Sequence, residues 1–259
     1  MDEAGGETRT AGVVVEGDDA DGVPAALSGA GVRPVEGDVE SVLAADPDLV
    51  VAVGEDALAR IARREPPVPI LPVEAGRGVR SVPREALGDA AGHLAAGDWH
   101  VEAHPLLGLA WDGRETSTLF DAMLVTAGPA DISEFAVQAG GEPVARFRAD
   151  GVAVATPAGS PGYNRSAGGP VATPGLEVLV VVPVAPFATS LDHWVVPPDA
   201  AITVERDEAA VEVLADDRSV GRAPVGDPVR LGAAGQVGLV WVPEGVSPFG
   251  PGAGELEKL

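Results

Sequence analysis

The sequence predicts two domains of different class, an α/β domain followed by a mostly β domain. Three observations predict it. Over the first hundred residues, short runs of Val, Ile, Leu and Ala alternate with stretches of helical spacing, the alternation that builds a doubly wound parallel sheet. From about residue 98 the helical spacing stops, and short apolar runs follow one another, separated by turn dipeptides such as Asp112-Gly113 and Gly140-Gly141. The length, 259 residues, allows each part to bury a core of its own. These patterns place the α/β domain at 1–97, the β domain at 98–245 and a Pro- and Gly-rich tail at 246–259.

Within the first domain, residues 1–10 are small and acidic and read as a disordered lead-in, although Thr10–Val15 already has the pattern of a strand. Val23–Ala30 reads as a short helix, Val32–Glu36 as an edge strand and Val39–Ala45 as a second helix. Leu49–Val53 is an unbroken apolar run, as expected of a strand buried on both faces. Gly54 ends it, and a helix from Glu55 to about Arg64 follows, stopped by Pro66-Pro67. Val68–Val73, with Gly76 beyond it, reads as the next strand and turn, and Arg84–Ala96 as the helix that closes the domain. Ligands of such sheets sit at the carboxyl ends of strands, so the turn Gly54-Glu55-Asp56-Ala57 is the natural place for chemistry. By residue type alone, Glu55 and Asp56 suit the positive end of a helix dipole as well as they suit a catalytic turn.

In the second domain the expected strands are Trp99–Glu102, Leu106–Trp111, Leu119–Thr126, Phe135–Gln138, Pro143–Arg148, Val152–Ala155 and Gly175–Pro186. Trp194–Pro197, Ala201–Arg206, Val211–Ala215, Gly221–Pro224, Val229–Leu231 and Gly238–Val242 continue the series. His100, Glu102 and His104 have a spacing that suggests a metal site, but strand alternation puts them on one face without convergence, and packed or solvated histidines are expected.

Composition excludes several classes. Asp and Glu outnumber Lys and Arg by 40 to 17, and a net charge of −23 repels nucleic acid and anionic membrane surfaces. Lys258 is the only lysine, and with the acidic excess this suggests a halophilic protein; a GC-rich genome accounts for part of the bias but not for the charge. The absence of cysteine removes disulfides and thiolate metal sites. The start, MDEAGGETRT, has neither a basic end nor an apolar core, and the longest apolar run, Val178–Val184, is too short to span a bilayer, so a cytoplasmic location without membrane contact is expected.

The chain is organised around Asp150–Pro170, DGVAVATPAGSPGYNRSAGGP. Gly159, Gly162, Gly168 and Gly169 permit close backbone approach, Thr156, Ser160, Asn164 and Ser166 offer small polar groups, and Tyr163, the only tyrosine, adds a flat face. Taken alone, this is either a tight connection or the wall of a pocket for a polar, partly aromatic molecule. The run Asp150-Gly151, Thr156-Pro157-x-Gly159-Ser160-x-x-Tyr163-Asn164-x-Ser166-Ala167-Gly168-Gly169-Pro170 resembles the signature of the NAD kinase family.

That resemblance covers most of the chain, strongly over 143–206 and thinly before 100, and it implies a fold, a reaction and a site. The fold is a Rossmann-like α/β domain joined to a β-sandwich-like domain, with the dinucleotide between them. The reaction is attack by the 2′-hydroxyl of NAD's adenosine ribose on the γ-phosphorus of ATP or on polyphosphate, with Mg²⁺, giving NADP; homodimers or homotetramers are the family's habit. Asp56 stands where the family's Gly-Gly-Asp-Gly loop carries its proposed base, beside Gly54 and Ala57, while Glu55 and Ala57 replace glycines. Phe120-Asp121 stands at the Asn-Glu pair that holds ribose hydroxyls, leaving Asp121 to accept them. Asp150 corresponds to the aspartate that recognises an amide or amine edge, and Arg148 lies close to the ligand. Thr156, Ser160, Gly162, Tyr163, Asn164 and Ser166 form the dinucleotide wall, with Pro161-Gly162-Tyr163 in place of Thr-Ala-Tyr. Pro186–Leu191 resembles the family's Pro-His-Ser-Leu segment without its histidine, and Asp216-Asp217 stands where the family has Asp-Gly.

Two other readings stand beside it. One is a dinucleotide-binding protein that no longer transfers phosphate, given the changes at Glu55, Ala57 and Phe120. The other is a hydrolase in which Ala158-x-Ser160-x-Gly162 is a relaxed nucleophile elbow, with His193 as the only histidine downstream.

Overall fold

Unbroken apolar runs become the interior of a parallel sheet in the first of two units into which the chain divides, namely the residues up to Ala103 together with those from Val237 onward. The computed structural model describes residues 8–15, 22–128, 131–188, 191–206 and 208–247. The first unit runs β1 (Thr10–Val15), α1 (Val23–Gly29), β2 (Arg33–Glu36), α2 (Val39–Ala44), β3 (Leu49–Val53), α3 (Glu55–Ala62) and β4 (Ile70–Val73), then a 3₁₀ turn at Arg84–Ala86 and α4 (Leu87–Ala96). The strands are parallel in the order β2-β1-β3-β4. Every residue of β3 and β4 is buried, which is why neither shows a polar alternation.

Local chemistry sets the helix ends. Pro24 sits in the first turn of α1. The Asp38 carboxylate caps α2, accepting the Ser41 N–H at 2.7 Å. Gly97, at φ 76°, stops α4. Leu27, Leu87 and Leu94 from the helices join Val13, Val51 and Leu71 from the strands in one core.

β5 (His100–Trp111) carries the chain into the second unit, His104–Gln236. There follow β6 (Arg114–Thr118), β7 (Asp121–Thr126), β8 (Ser133–Ala139), β9 (Glu142–Ala149), β10 (Gly151–Ala155), β11 (Leu179–Val184), β12 (Trp194–Val196), β13 (Asp199–Val204), β14 (Val211–Ala215), β15 (Arg218–Arg222) and β16 (Pro228–Trp241). One antiparallel sheet has the order β12-β11-β10-β7-β14-β15. In the other, β16, β13, β8 and β9 are antiparallel neighbours, and the β5–β6 hairpin joins at β16. Leu124, Val154, Val181 and Val213 of the first meet Phe135, Val137, Ile202 and Leu231 of the second in a single core, the arrangement of a β-sandwich.

Three hairpins turn through two residues of positive φ: Asp112-Gly113 at 45° and 70°, Gly140-Gly141 at 58° and 79°, and Asp216-Asp217 at 46° and 61°. The sequence predicts the first two from their glycines. The third contains none, and Gly221–Pro224 was expected as the strand where the structure begins β15 at Arg218.

Other boundaries also differ from expectation. β6, Arg-Glu-Thr-Ser-Thr, has no apolar alternation, and only its last residue, Thr118, is buried. The long strand expected at Gly175–Pro186 shrinks to Leu179–Val184. The two short strands expected at the end are one, β16, whose Gly235 at φ 88° breaks the pattern. The end of β16 returns to the first unit, Leu239 pairing in parallel with Ile70, so 237–245 lies with the α/β unit, where the sequence reading puts it in the β domain. A strand's period does not encode which sheet it joins. Of the expected tail, Val246 donates its N–H to Ser81 O at 2.9 Å, and 248–259 lie outside the described residues. Of the expected lead-in, 1–7 lie outside them too, while Thr10 opens β1.

Candidate functional site

The wall is built outward from the end of β10. The Thr156 N–H donates to Phe120 O at 2.9 Å and its hydroxyl donates to Leu119 O at 2.7 Å, while the Gly159 N–H donates to Thr156 Oγ1 at 3.1 Å. A Cβ on Gly159 would stand 2.0 Å from Phe120 O, so only glycine lets the two segments lie this close. The chain then makes a wide helical turn, Ser160–Asn164, interrupted at Gly162 (φ −83°, ψ −128°).

That turn sorts its side chains. Ser160 and Asn164 face inward and are fully buried. Ser160 Oγ donates to Pro157 O at 2.8 Å and accepts the Ala172 N–H at 2.9 Å. The Asn164 amide donates to Ser160 O at 2.8 Å and to Pro170 O at 2.9 Å. Tyr163 and Ser166 face outward instead, onto a cleft of about 500 Å³ whose other walls include Pro183, Ala185, Leu191 and His193. Tyr163 leaves 42% of its surface exposed there. The cleft belongs wholly to the second unit and has the mixture of apolar floor and few polar groups that suits a small organic ligand.

Thr156, Ser160 and Asn164, expected to touch a ligand, thus bond backbone groups and shape the wall: Thr156 ties it to Leu119 and Phe120, and Ser160 and the Asn164 NH₂ group tie it together, while Asn164 Oδ1 is buried without a partner among the described residues. Asp150 and Arg148 reach the cleft's edge through their backbones: the Asp150 N–H donates to Val184 O at 3.1 Å and the Phe187 N–H to Arg148 O at 2.9 Å. The Arg148 guanidinium pairs with Glu208 at 2.9 Å, in a surface network that Arg146, Arg206, Glu134 and Glu205 complete. Glu208 and Glu134 hold the Arg206 pKa above its ordinary value.

Asp121 opens β7, a central strand between β10 and β14, so it is not at a sheet edge. The segment before it is clamped by one carboxylate. Asp216 Oδ1 accepts the Thr118 hydroxyl, the Phe120 N–H at 2.9 Å and the Asp121 N–H at 3.4 Å, and Oδ2 accepts the Leu119 N–H at 3.3 Å. In the sequence the only mark of this clamp is an Asp-Asp pair in a turn between strands, where glycine is usual.

In the first unit, Gly54 at φ 94° donates its N–H to Val73 O at 2.9 Å and lets the chain turn from β3 into α3. Asp56 lies in the first turn, 3.6 Å from the Arg60 guanidinium one turn on, with half its side chain exposed. Ala57 is fully buried, so its methyl group packs into the unit and does not obstruct the turn. Glu55 leans over the next loop: a Cβ on Gly76 would stand 2.0 Å from Glu55 Oε2.

Among the described residues no three His, Cys, Asp or Glu converge as a metal cage. Glu55 and Asp56 are nevertheless adjacent hard oxygen donors, which suits Mg²⁺, an ion held by one or two carboxylates together with substrate phosphates. His100 stacks on Trp241 at 4.5 Å with its Nε2 3.8 Å from Glu102, and His104 is buried, a solvated and a packed histidine as the strand alternation predicts. The hydrolase reading fails on two counts: Ser160 Oγ is buried and bonded to backbone, and β10 lies between antiparallel neighbours.

Comparison with known proteins agrees with this geometry. The profile described as "ATP-NAD kinase C-terminal domain" matches residues 120–234. An NAD kinase of Methanosarcina barkeri is 35% identical over 193 residues, which cover 71% of this chain and 69% of the relative. Across three curated Methanosarcina relatives the matched part spans 56–69% of their length. An NAD kinase from Archaeoglobus fulgidus, solved in complex with ATP, superposes with a TM-score of 0.72 at 25% identity, covering 89% of this chain and 92% of that one. A yeast NADH kinase complexed with NADH reaches a TM-score of 0.77 at 16% identity, covering 97% of this chain and 88% of that one, and shows the shared fold.

Proposed function

The chain belongs to the NAD kinase family of phosphotransferases, and from that premise we propose that it phosphorylates the 2′-hydroxyl of NAD's adenosine ribose to give NADP. The observation that carries this is the sorting of the 156–170 wall, which buries Ser160 and Asn164 to hold its shape and turns Tyr163 and Ser166 onto the cleft. In this reading Tyr163 supplies a face for a ring of the dinucleotide, Ser166 and Asp150 hydrogen-bond it, and Asp121 accepts from ribose hydroxyls. Gly162, exposed at the break in the turn, lends its backbone, and Arg148 contributes through its carbonyl more than through its paired guanidinium.

Asp56 from the first unit acts as the base that orients or deprotonates the attacking hydroxyl, with Gly54 and Ala57 forming its turn. The Mg²⁺ that accompanies ATP or polyphosphate offsets phosphate charge, and Glu55 and Asp56 are the carboxylates suited to hold it. Phosphoryl transfer of this kind depends on positioning and electrostatics, so replacing loop glycines is compatible with turnover. The acidic surface suits a halophilic, cytoplasmic enzyme, and the family's habit suggests a homodimer or homotetramer.

The test is direct. Purified protein in concentrated KCl with Mg²⁺, NAD and either ATP or polyphosphate should form NADP, and Asp56→Asn should abolish turnover while NAD still binds. NAD binding by calorimetry with no NADP from either donor would reject the kinase reading.

A further inference from the structure

The cleft's lining has one further polar side chain, to which the proposed mechanism gives no task. His193 lines it together with Tyr163 and Ser166, and its ring is seated on bare backbone of their wall: a Cβ on Gly168 would stand 3.1 Å from the imidazole Cε1. Gly168 adopts φ 92°, so glycine is favoured there for its backbone as well as for the room it leaves the ring. Imidazole is the side chain that changes charge between pH 5 and 8. Among the described residues of the lining, His193 is also the only one that can become positive.

We propose that His193 is a dinucleotide-binding residue of this cleft, and that its protonated ring strengthens the binding of the anionic diphosphate. The proposal rests on the reading of the cleft as the dinucleotide site and assigns it a dependence on pH. A chain of net charge −23 repels such a ligand at long range, so a single cation in the lining acts against that background. The charged and titratable groups on the surrounding segments are few. Tyr163 shares the wall, exposed Arg165 and Asp192 flank it in sequence, and Asp150 approaches through its N–H bond to Val184 O. The side chain is exposed at the cleft's rim, so replacing it removes no part of the core.

The experiment measures the Kd of NAD by calorimetry at about pH 5.5 and about pH 8, in the lowest salt that keeps the chain folded, for wild type, His193→Gln and His193→Arg. NAD is the probe because its diphosphate keeps its charge across this range, whereas the 2′-phosphate of NADP titrates near pH 6. Wild type should bind roughly three- to tenfold more tightly at the lower pH, the range expected of one partly solvated charge pair. His193→Gln should change less than about twofold, and His193→Arg should hold the tight value at both pH values. A pH response that survives in His193→Gln, or a wild-type Kd that does not move, overturns the role of His193 and leaves the cleft assignment standing. Failure of the wild type to bind NAD at either pH overturns both.

Discussion

Replacing Asp216 tests how the ribose-binding candidate Asp121 is held. Asp216 Oδ1 makes two close bonds, to the Thr118 hydroxyl and the Phe120 N–H, and both oxygens make longer ones, to the Asp121 and Leu119 N–H groups. A hydrogen bond to a charged acceptor contributes about 1.5–3 kcal/mol; two good ones, reduced by roughly a third for partial exposure, give about 3 kcal/mol. Asparagine keeps a carbonyl oxygen where Oδ1 stands and tolerates the positive φ of 46°, but it turns an amide donor toward the Leu119 N–H. Asp216→Asn should therefore cost about 1–2 kcal/mol. Alanine loses every bond and adds about 1 kcal/mol of left-handed backbone strain, so Asp216→Ala should cost about 4 kcal/mol. Denaturant unfolding at fixed salt reads both as a fall in midpoint at constant slope. In Asp216→Asn, which stays folded, the KM for NAD should rise more than kcat falls. Equal midpoints for Asp216→Ala and wild type would refute the clamp.

Four further outcomes follow from the same geometry. Asp217→Gly relieves a non-glycine residue at φ 61° and should stabilise the protein by about 0.5–1 kcal/mol, seen as a higher Tm. Gly159→Ala drives a methyl group into Phe120 O, and should destabilise the fold by about 2–3 kcal/mol, read as a lower unfolding midpoint, while weakening NAD binding at least tenfold. Asp38→Ala removes the cap of α2. The Ser41 hydroxyl and N–H hold the Asp38 pKa below 3.8, so its contribution is present above that pH and fades as pH falls further; the stability gap between variant and wild type should close under acid. Asp56→Asn should leave the Kd for NAD within about twofold while NADP formation disappears, as read by calorimetry and by absorbance in a coupled assay.

Much of this fold was legible residue by residue. Leu49–Val53 had to be a buried strand because nothing polar interrupts it, and Asp112-Gly113 and Gly140-Gly141 had to be tight hairpins because their glycines accept positive φ. The Asp216-Asp217 turn is marked by its position between strands, but its tight conformation is held by bonds to a segment almost a hundred positions away, which no local pattern announces. The same holds at the site. Tyr163 and Ser166 were recognisable as wall residues, but the inward turn of Ser160 and Asn164 depends on partners at Pro157, Pro170 and Ala172 that a residue-type argument cannot order. Ala57, expected beside a ligand, is fully buried in the first turn of α3, a placement that residue type alone does not announce.

The return of β16 to the first unit bears on how the polypeptide is made. Val240 and Val242 complete a core that Ala11 and Val13 begin, so these early strands wait for residues made far later in the chain before that core is whole. A messenger cut short anywhere inside the intervening β unit would release an α/β half whose β4 lacks its outer neighbour, an open strand edge prone to pairing with other chains. Premature termination should accordingly yield aggregates and not a soluble nucleotide-binding fragment.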